Sequence, residues 1–238
     1  MKINKKLVIL IMSSSNTVYS ELERSIKDTW YNIKSDDVEI IFYKDNEGYD
    51  KSVDPQFDGC DLILPCSDGF HTIGLKTLMA LRWVNNNYNF DYIYRSNLGA
   101  YVDSDKILEF LIDKPKHNFY CGVIGEDTFY YGFPVRFASG SGYFLSNDVV
   151  EKILNNSSEW NHNVVDDVEL GKLLSNLSID INESAIRLNY CDNNVSYNIG
   201  GVEVDSIPDE LIYHIRLRSD NRNIDINRMR DLYKNKIK

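Results

Sequence analysis

Asp166 and Asp167 are adjacent acids followed at once by Val168 and Leu170, which places the pair at the start of a helix. Only one of two neighbours can easily face a cleft there while the other caps the helix or meets solvent. A carboxylate so placed can take a proton from an attacking hydroxyl; both acids also suit the positive end of a helix without any catalytic role. His214, Arg216 and Arg218 alternate along an extended segment, so their side chains share one face. An arginine there can hold phosphate oxygens bidentately, as lysine cannot, and an exposed strand of solvated arginines is the plainer reading. Lys27, Lys76 and Arg95 are further positive groups able to meet an anion. Gly140 and Gly142 flank Ser141, a spacing that lets backbone approach a ligand closely or marks a turn into a strand. Tyr143 is then a wall of that site or part of the core. Asp103-Ser104-Asp105 has the spacing of a metal-binding acid pair, yet it reads as the cap of the helix carrying Ile107, Leu108 and Leu111.

The elements that must position these groups follow from periodicity. Residues 7–12 are an unbroken apolar run, read as a buried first strand, and a polar loop over 13–17 leads to a helix with Leu22, Ile26 and Trp30 on one face. Ser20 and Glu23 have the spacing of a capping box. Residues 38–43 and 61–64 read as strands, joined by a polar connector with Gly48, Pro55 and Gly59. Leu75, Leu78, Met79, Arg82 and Trp83 follow helical spacing, and Tyr92-Ile93-Tyr94 makes a short strand after them. Beyond Phe119 the pattern becomes Gly-rich and aromatic, with short helices over 148–154 and 167–174. Strands alternating with helices predict an α/β fold with a mostly parallel central sheet, which binds ligands at the carboxyl ends of its strands. The loops over 13–17 and 95–99 therefore point at one cleft, bringing Ser13, Ser14, Asn97 and Gly99 to it.

The stretch Asp68-Gly69-Phe70-His71-Thr72-Ile73-Gly74-Leu75-Lys76-Thr77, then Trp83, Tyr92-Ile93-Tyr94, Arg95 and Tyr101-Val102, resembles a known pattern. It is similar to the D-S-Y-x-N-L-T-L-K-T, W, hydrophobic strand, K-x-D-x-D and F-V of glycosyltransferase family 31, the β-1,3-galactosyltransferase, N-acetylglucosaminyltransferase and fringe group. Lys27-Asp28-Thr29-Trp30 resembles that family's I-R-x-T-W, Gly140 to Ser146 its G-x-G-Y-x-x-S, and Val165 to Gly171 its E-D-V-x-x-G. His214, ahead of a short helix ending at 229–233, resembles the histidine before the family's last helix. Five blocks in register cover nearly the whole chain.

The resemblance implies one GT-A-like nucleotide-sugar-binding domain over 1–238, with a donor half over 1–118 and an acceptor side over 119–238. It implies inverting transfer of a hexose or N-acetylhexosamine from a UDP-linked nucleotide sugar to a glycan hydroxyl. Asp167, the second acid of the E-D-V block, takes the base role. Gly140, Gly142, Tyr143 and Asp166 fall to the acceptor side. Ser13, Ser14, Lys27, Lys76, Arg95, Asn97, Gly99, His214, Arg216 and Arg218 fall to the donor. The family holds Mn2+ or Mg2+ with its acidic motif and the C-terminal histidine, whereas Asn97 and Gly99 stand at the aspartate positions here. A hard cation wants carboxylate oxygens, so no metal ligand is assigned and basic side chains are expected in its place. The same substitution supports an alternative, an inactive relative that binds a nucleotide sugar or glycan and assists another transferase.

At 238 residues, 43% of them hydrophobic, the chain can bury one good core but not two. A net charge of -10 argues against a nucleic-acid partner, and an anionic donor must then be met by a local positive cluster. The apolar run after Lys5 and Lys6 is short for a signal peptide, and no run reaches the length of a membrane span. The family's animal members are Golgi-anchored; a chain starting at its first strand is expected in the cytoplasm, with Cys60, Cys66, Cys121 and Cys191 as free thiols. No G-x-G-x-x-G follows the first strand, which leaves a Rossmann-type dehydrogenase poorly supported.

Overall fold

The computed structural model describes the chain except residues 33–34, 47–52, 193 and 237–238, so Gly48 of the expected connector lies outside the described residues. Strand β1 (Ile3–Met12) lies in the middle of the large sheet, parallel to β2 (Val38–Asp45) on one side and β5 (Tyr88–Asn97) on the other. Beyond β2 come β4 (Asp61–Leu64), parallel, and β3 (Gln56–Asp58), antiparallel at the edge. Beyond β5 come β8 (Val135–Ser146), antiparallel to β5, then β7 (Tyr120–Asp127), antiparallel to β8, and β9 (Ile181–Asn182), parallel to β7. The expected parallel arrangement thus holds for β4, β2, β1 and β5, and the rest of the sheet is mixed. The reason lies in the connection: residues 128–134 between β7 and β8 are too few for the crossover that parallel pairing requires.

Side chains alternate across β1, and each set founds one core layer. Leu7, Ile9 and Ile11 pack with Leu22 and Ile26 of α1 (Ser20–Lys27), Ile107 of α3 (Ser104–Phe110), and Ile226 and Met229 of α6 (Arg222–Lys236). Val8 and Leu10 pack with α2 (Ile73–Asn87), α4 (Asn147–Asn155) and α5 (Asp166–Asn176) through Leu81, Val150 and Leu170 among others. Both faces are covered, which explains why residues 7–11 form a continuous apolar run.

A second sheet, not expected from the sequence, has the order β12 (Val202–Val204), β11 (Val195–Ile199), β10 (Ile186–Cys191), β13 (His214–Arg218), β6 (Ala100–Val102). Strand β6 begins three residues after β5 ends, so the chain leaves the large sheet and enters the small one across Leu98 and Gly99. That step puts residues 97–99 between the sheets.

Several local expectations are corrected. The strand expected at 92–94 extends over all of β5, since Tyr88 and Phe90 are buried with it. The last helix is longer than expected, covering Arg222–Lys236. The capping box does not form: a 3-10 turn over Thr17–Tyr19 precedes α1, and the Ser20 hydroxyl donates back to the Thr17 carbonyl at 2.7 Å. Glu23 instead accepts from Ser13 at 2.5 Å, Lys27 at 2.8 Å and Lys44 at 2.9 Å. Among the described residues no helix is long and apolar enough to cross a membrane.

Candidate functional site

Met12 and Asn97 are paired in the register of β1 and β5, so the two strands end together and the loops beyond them meet. They line a cleft of about 350 Å³ with Ser13 and Ser14 on one side and Arg216, Leu217 and Arg218 on the other. The serine loop is held from below. The Ser13 amide donates to the Tyr43 carbonyl at 2.9 Å, and the Ser13 carbonyl accepts from Lys76 Nζ at 2.9 Å. Ser14 donates to Asp68 at 2.6 Å, and Lys76 reaches the other oxygen of that carboxylate at 2.9 Å. Lys76 is buried, with Asp45 3.6 Å away as a second counter-charge. Its ammonium therefore fixes the loop and leaves little free charge for a ligand.

The positive wall is fixed through the backbone. The Leu217 amide donates to the Gly99 carbonyl at 2.8 Å, and a Cβ on Gly99 would lie 3.1 Å from the Leu217 carbonyl oxygen. Arg216 and Arg218 have no carboxylate within 4.0 Å among the described residues, whereas Arg222 at the cleft edge pairs with Asp225 at 3.1 Å. Burial and the neighbouring Arg218 hold the Arg216 guanidinium below its usual range.

His214 shares their face of the strand but not the cleft. It is 1% exposed, its Nδ1 is hydrogen-bonded to the Tyr94 hydroxyl at 2.5 Å, and its Nε2 has no partner. Burial, with Arg187 and Arg216 nearby, holds its pKa well below the usual histidine value, so it is neutral. The expectation of a cationic His214 facing the donor is corrected on that ground.

The two acids separate as adjacent residues must. Asp166 turns inward, buried, and accepts from Arg95 Nη2 at 2.7 Å and Thr77 Oγ1 at 3.2 Å. Arg95 is equally buried and also donates to the Tyr43 hydroxyl at 3.1 Å and to the Gly140 carbonyl. The expected donor contact of Arg95 and acceptor contact of Asp166 are therefore both corrected, because each is the other's partner. Asp167 is half-buried at the first turn of α5. Its Oδ2 accepts from the Gly140 amide at 2.7 Å and its Oδ1 from the Val168 amide at 3.0 Å. Burial and the charge of Asp166 raise its pKa above the usual aspartate value against the pull of those two amides. Asn97 Nδ2 reaches the Gly140 carbonyl at 3.4 Å, so Gly140 links Asp167, through its amide, to Asn97 of the cleft, through its carbonyl.

The glycines meet protein rather than open space. A Cβ at Gly140 would lie 2.8 Å from Arg95 Nη1, and one at Gly142 would lie 2.1 Å from the Tyr94 hydroxyl oxygen. Tyr143 is core, 1% exposed, with the Arg95 guanidinium 5.6 Å from its ring centroid. Lys27 is also displaced from its expected place. Its Nζ sits 2.8 Å from both Glu23 and Asp61, beside the Phe42 ring and outside the cleft.

The residues at the family's metal position do not fit a divalent cation. Asn97 offers one amide oxygen, already accepting from the Gly99 amide at 3.0 Å, and Gly99 offers none. Among the described residues no group of three or more His, Cys, Asp or Glu is placed to hold a metal ion. Asp103 caps α3, accepting from the Lys106 amide at 3.2 Å and pairing with Lys236 at 2.7 Å. Sequence reasoning missed Tyr19 and Arg222 at the cleft, because a lone tyrosine or arginine ahead of a helix carries no signal of its own, and it missed Arg187 in β10, the strand beside β13.

Residues 23–185 match the family model described as galactosyltransferase. Human β-1,3-galactosyltransferase 2 is 27% identical over 134 residues, covering 48% of this chain and 32% of that protein. Mouse β-1,3-galactosyltransferase 1 is 26% identical over 212 residues, covering 73% and 61%. The match thus spans about a third of the human relative's length and about three fifths of the mouse relative's. Two solved structures share the fold: the galactosyltransferase LgtC in complex with donor and acceptor sugar analogues, and a glycosyltransferase involved in glycosylation of the major capsid of PBCV-1. The first has a TM-score of 0.54 at 11% identity, covering 96% of this chain and 95% of that one. The second has a TM-score of 0.52 at 11% identity, covering 95% and 99%.

Proposed function

The chain belongs to the galactosyltransferase family, and from that premise we propose that it is an inverting glycosyltransferase using a nucleotide sugar, UDP-linked, without a divalent cation. The observation that carries this reading is the cleft at the ends of β1 and β5. It has two arginines with no carboxylate of the described residues within 4.0 Å on one wall, and a carboxylate of raised pKa linked to its Asn97 through Gly140.

In the proposed step the acceptor hydroxyl oxygen attacks the anomeric carbon from the face opposite the leaving group. Asp167 takes the hydroxyl proton as the new glycosidic bond forms. The bond to the nucleoside diphosphate breaks, and its electron pair leaves with the diphosphate. A base whose pKa is raised toward the working pH suits this transfer. Arg216 and Arg218 offset the charge that develops on the departing diphosphate, a role fixed cations perform well in a partly dehydrated site. The transferred group is a hexose or N-acetylhexosamine and the acceptor a glycan hydroxyl. The four cysteines are free thiols, which suits a reducing compartment, and a cytoplasmic location is part of the same reading.

Asn97 and Gly99, where a metal-dependent relative has acids, favour one second reading: an inactive protein that binds the nucleotide sugar for another transferase. Thermal shift with UDP-, GDP- and dTDP-sugars, in manganese or in chelator, tests the first half of the proposal, since ligand at ~100 times its dissociation constant adds about 2.7 kcal/mol of stability. Donor hydrolysis or transfer by the wild type, lost in Asp167→Asn with donor binding retained, supports the enzyme. Donor binding with no turnover under any acceptor supports the second reading.

A further inference from the structure

Strand β10 carries an arginine into the space between the two sheets. It runs parallel to β13 in a register that pairs Leu188 with Ile215 and Asn189 with Arg216, so Arg187 stands beside His214. Arg187 is 9% exposed. Its Nη1 donates to the Ser141 hydroxyl at 2.6 Å, its Nε has no partner, and Nε2 of the adjacent His214 has none either. No carboxylate of the described residues lies within 4.0 Å of the guanidinium. The charge closest in effect is another cation: burial, then Arg216, bring the Arg187 pKa down to about 10, which leaves it charged at neutral pH. Burying a guanidinium is unfavourable unless it is paired and fully hydrogen-bonded. Arg187 and Arg216 are diagonal neighbours on one face of the β10–β13 pair, and two such arginines, neither with a carboxylate of the described residues within 4.0 Å, have the form of a site that an anion completes.

We propose that Arg187 and Arg216 form an anion subsite across β10 and β13, next to the cleft that Arg216 lines, whose ligand is a phosphate-class oxyanion. Arg216 lines the cleft and gives the subsite its opening. The Tyr94–His214 pair and Gly142 form its inner wall, and Ser141, 3.2 Å from Ser139, orients the Arg187 fork. The subsite rests on the nucleotide-sugar reading only for the source of the anion: the donor diphosphate, or an anionic group on the acceptor.

Calorimetric titration of the full chain with pyrophosphate, UDP and uridine, for wild type, Arg187→Met, Arg187→Lys and Arg218→Ala, tests it. Arg187→Met is expected to raise the melting temperature of the ligand-free protein, because an unpaired buried charge is removed. It is also expected to weaken pyrophosphate at least about tenfold, as for other lost charged hydrogen bonds. Should that variant fail to fold, Arg187→Lys, which keeps the charge and loses the fork, must still weaken pyrophosphate. Pyrophosphate binding unchanged in the folded Arg187 variants, or absent from wild type, overturns the subsite. UDP weakened in step with pyrophosphate while uridine is unchanged assigns the anion to the donor. UDP unaffected and bound together with pyrophosphate assigns it to the acceptor. If Arg218→Ala weakens UDP while pyrophosphate ignores Arg187, the cleft reading stands and the subsite falls. If pyrophosphate binds through Arg187 in a protein that ignores UDP, the subsite stands and the UDP-linked donor falls.

Discussion

The Gly140 amide donates to Asp167 Oδ2 at 2.7 Å, and a Cβ on residue 140 would lie 3.0 Å from that same oxygen. The glycine both holds the carboxylate and leaves it room. Gly140→Ala would also press on Arg95 Nη1, which a buried ion pair holds in place. The expected outcome is a folded protein whose transfer rate falls about tenfold or more, as small displacements of catalytic groups cost. Steady-state kinetics beside a far-ultraviolet spectrum checks it.

Asp167→Asn should keep donor affinity and slow transfer by roughly 10²- to 10⁴-fold, the range for a lost general base. Because burial and Asp166 raise the Asp167 pKa, the acid limb of kcat/KM should fall above the usual aspartate value. The same shift has a stability consequence of fixed sign. A folded pKa above the unfolded one gives stability that is present at low pH and is lost as pH rises through the folded pKa. Asp167→Asn should remove that loss, which denaturant titrations across the acid limb would detect.

Gly142 is held against the Tyr94–His214 pair: a Cβ would lie 2.1 Å from the tyrosine oxygen and 2.7 Å from His214 Nδ1. Gly142→Ala is expected to destabilise the protein by about 1–3 kcal/mol, as overpacked cores do. His214 itself predicts a pH effect, since its pKa is held well below the unfolded value. The stability it contributes is complete above the unfolded pKa and is lost as pH falls, because the unfolded chain takes up a proton that the folded one refuses. His214→Gln should flatten the decline of stability between about pH 7 and 5, around the unfolded histidine pKa.

Arg95 and Asp166 form a buried pair at 2.7 Å. Arg95→Met leaves Asp166 without its cation and is expected to cost about 3–5 kcal/mol. Arg95→Met with Asp166→Leu should recover part of it. A single variant as stable as wild type in urea would show that the pair is dispensable.

The sequence made the N-terminal part of the large sheet legible through β1, α2 and β5, because long apolar runs and helical periodicity report directly on burial. It also brought residues 13–14 and 97–99 to one cleft, since parallel strands that end together deliver their loops together. The small sheet was not legible: β6 is three residues long, and β10 meets β13 only by a register that no local pattern encodes. Arg187 was missed for that reason. Arg95, Asp166 and Tyr143 carried the right residue types for a site, yet packing turned them to one another. A sequence lists charges but not which of them are already paired.

The most direct test of the central claim is UDP binding by isothermal calorimetry in excess chelator. The comparison set is wild type, Arg218→Ala, Arg216→Ala and Asp103→Ala. UDP is expected to bind wild type without metal, and each arginine change to weaken it about tenfold or more. Asp103→Ala should bind normally while losing about 1 kcal/mol of stability with its helix cap. UDP binding that appears only with manganese and is abolished by Asp103→Ala would contradict the metal-free, arginine-based site.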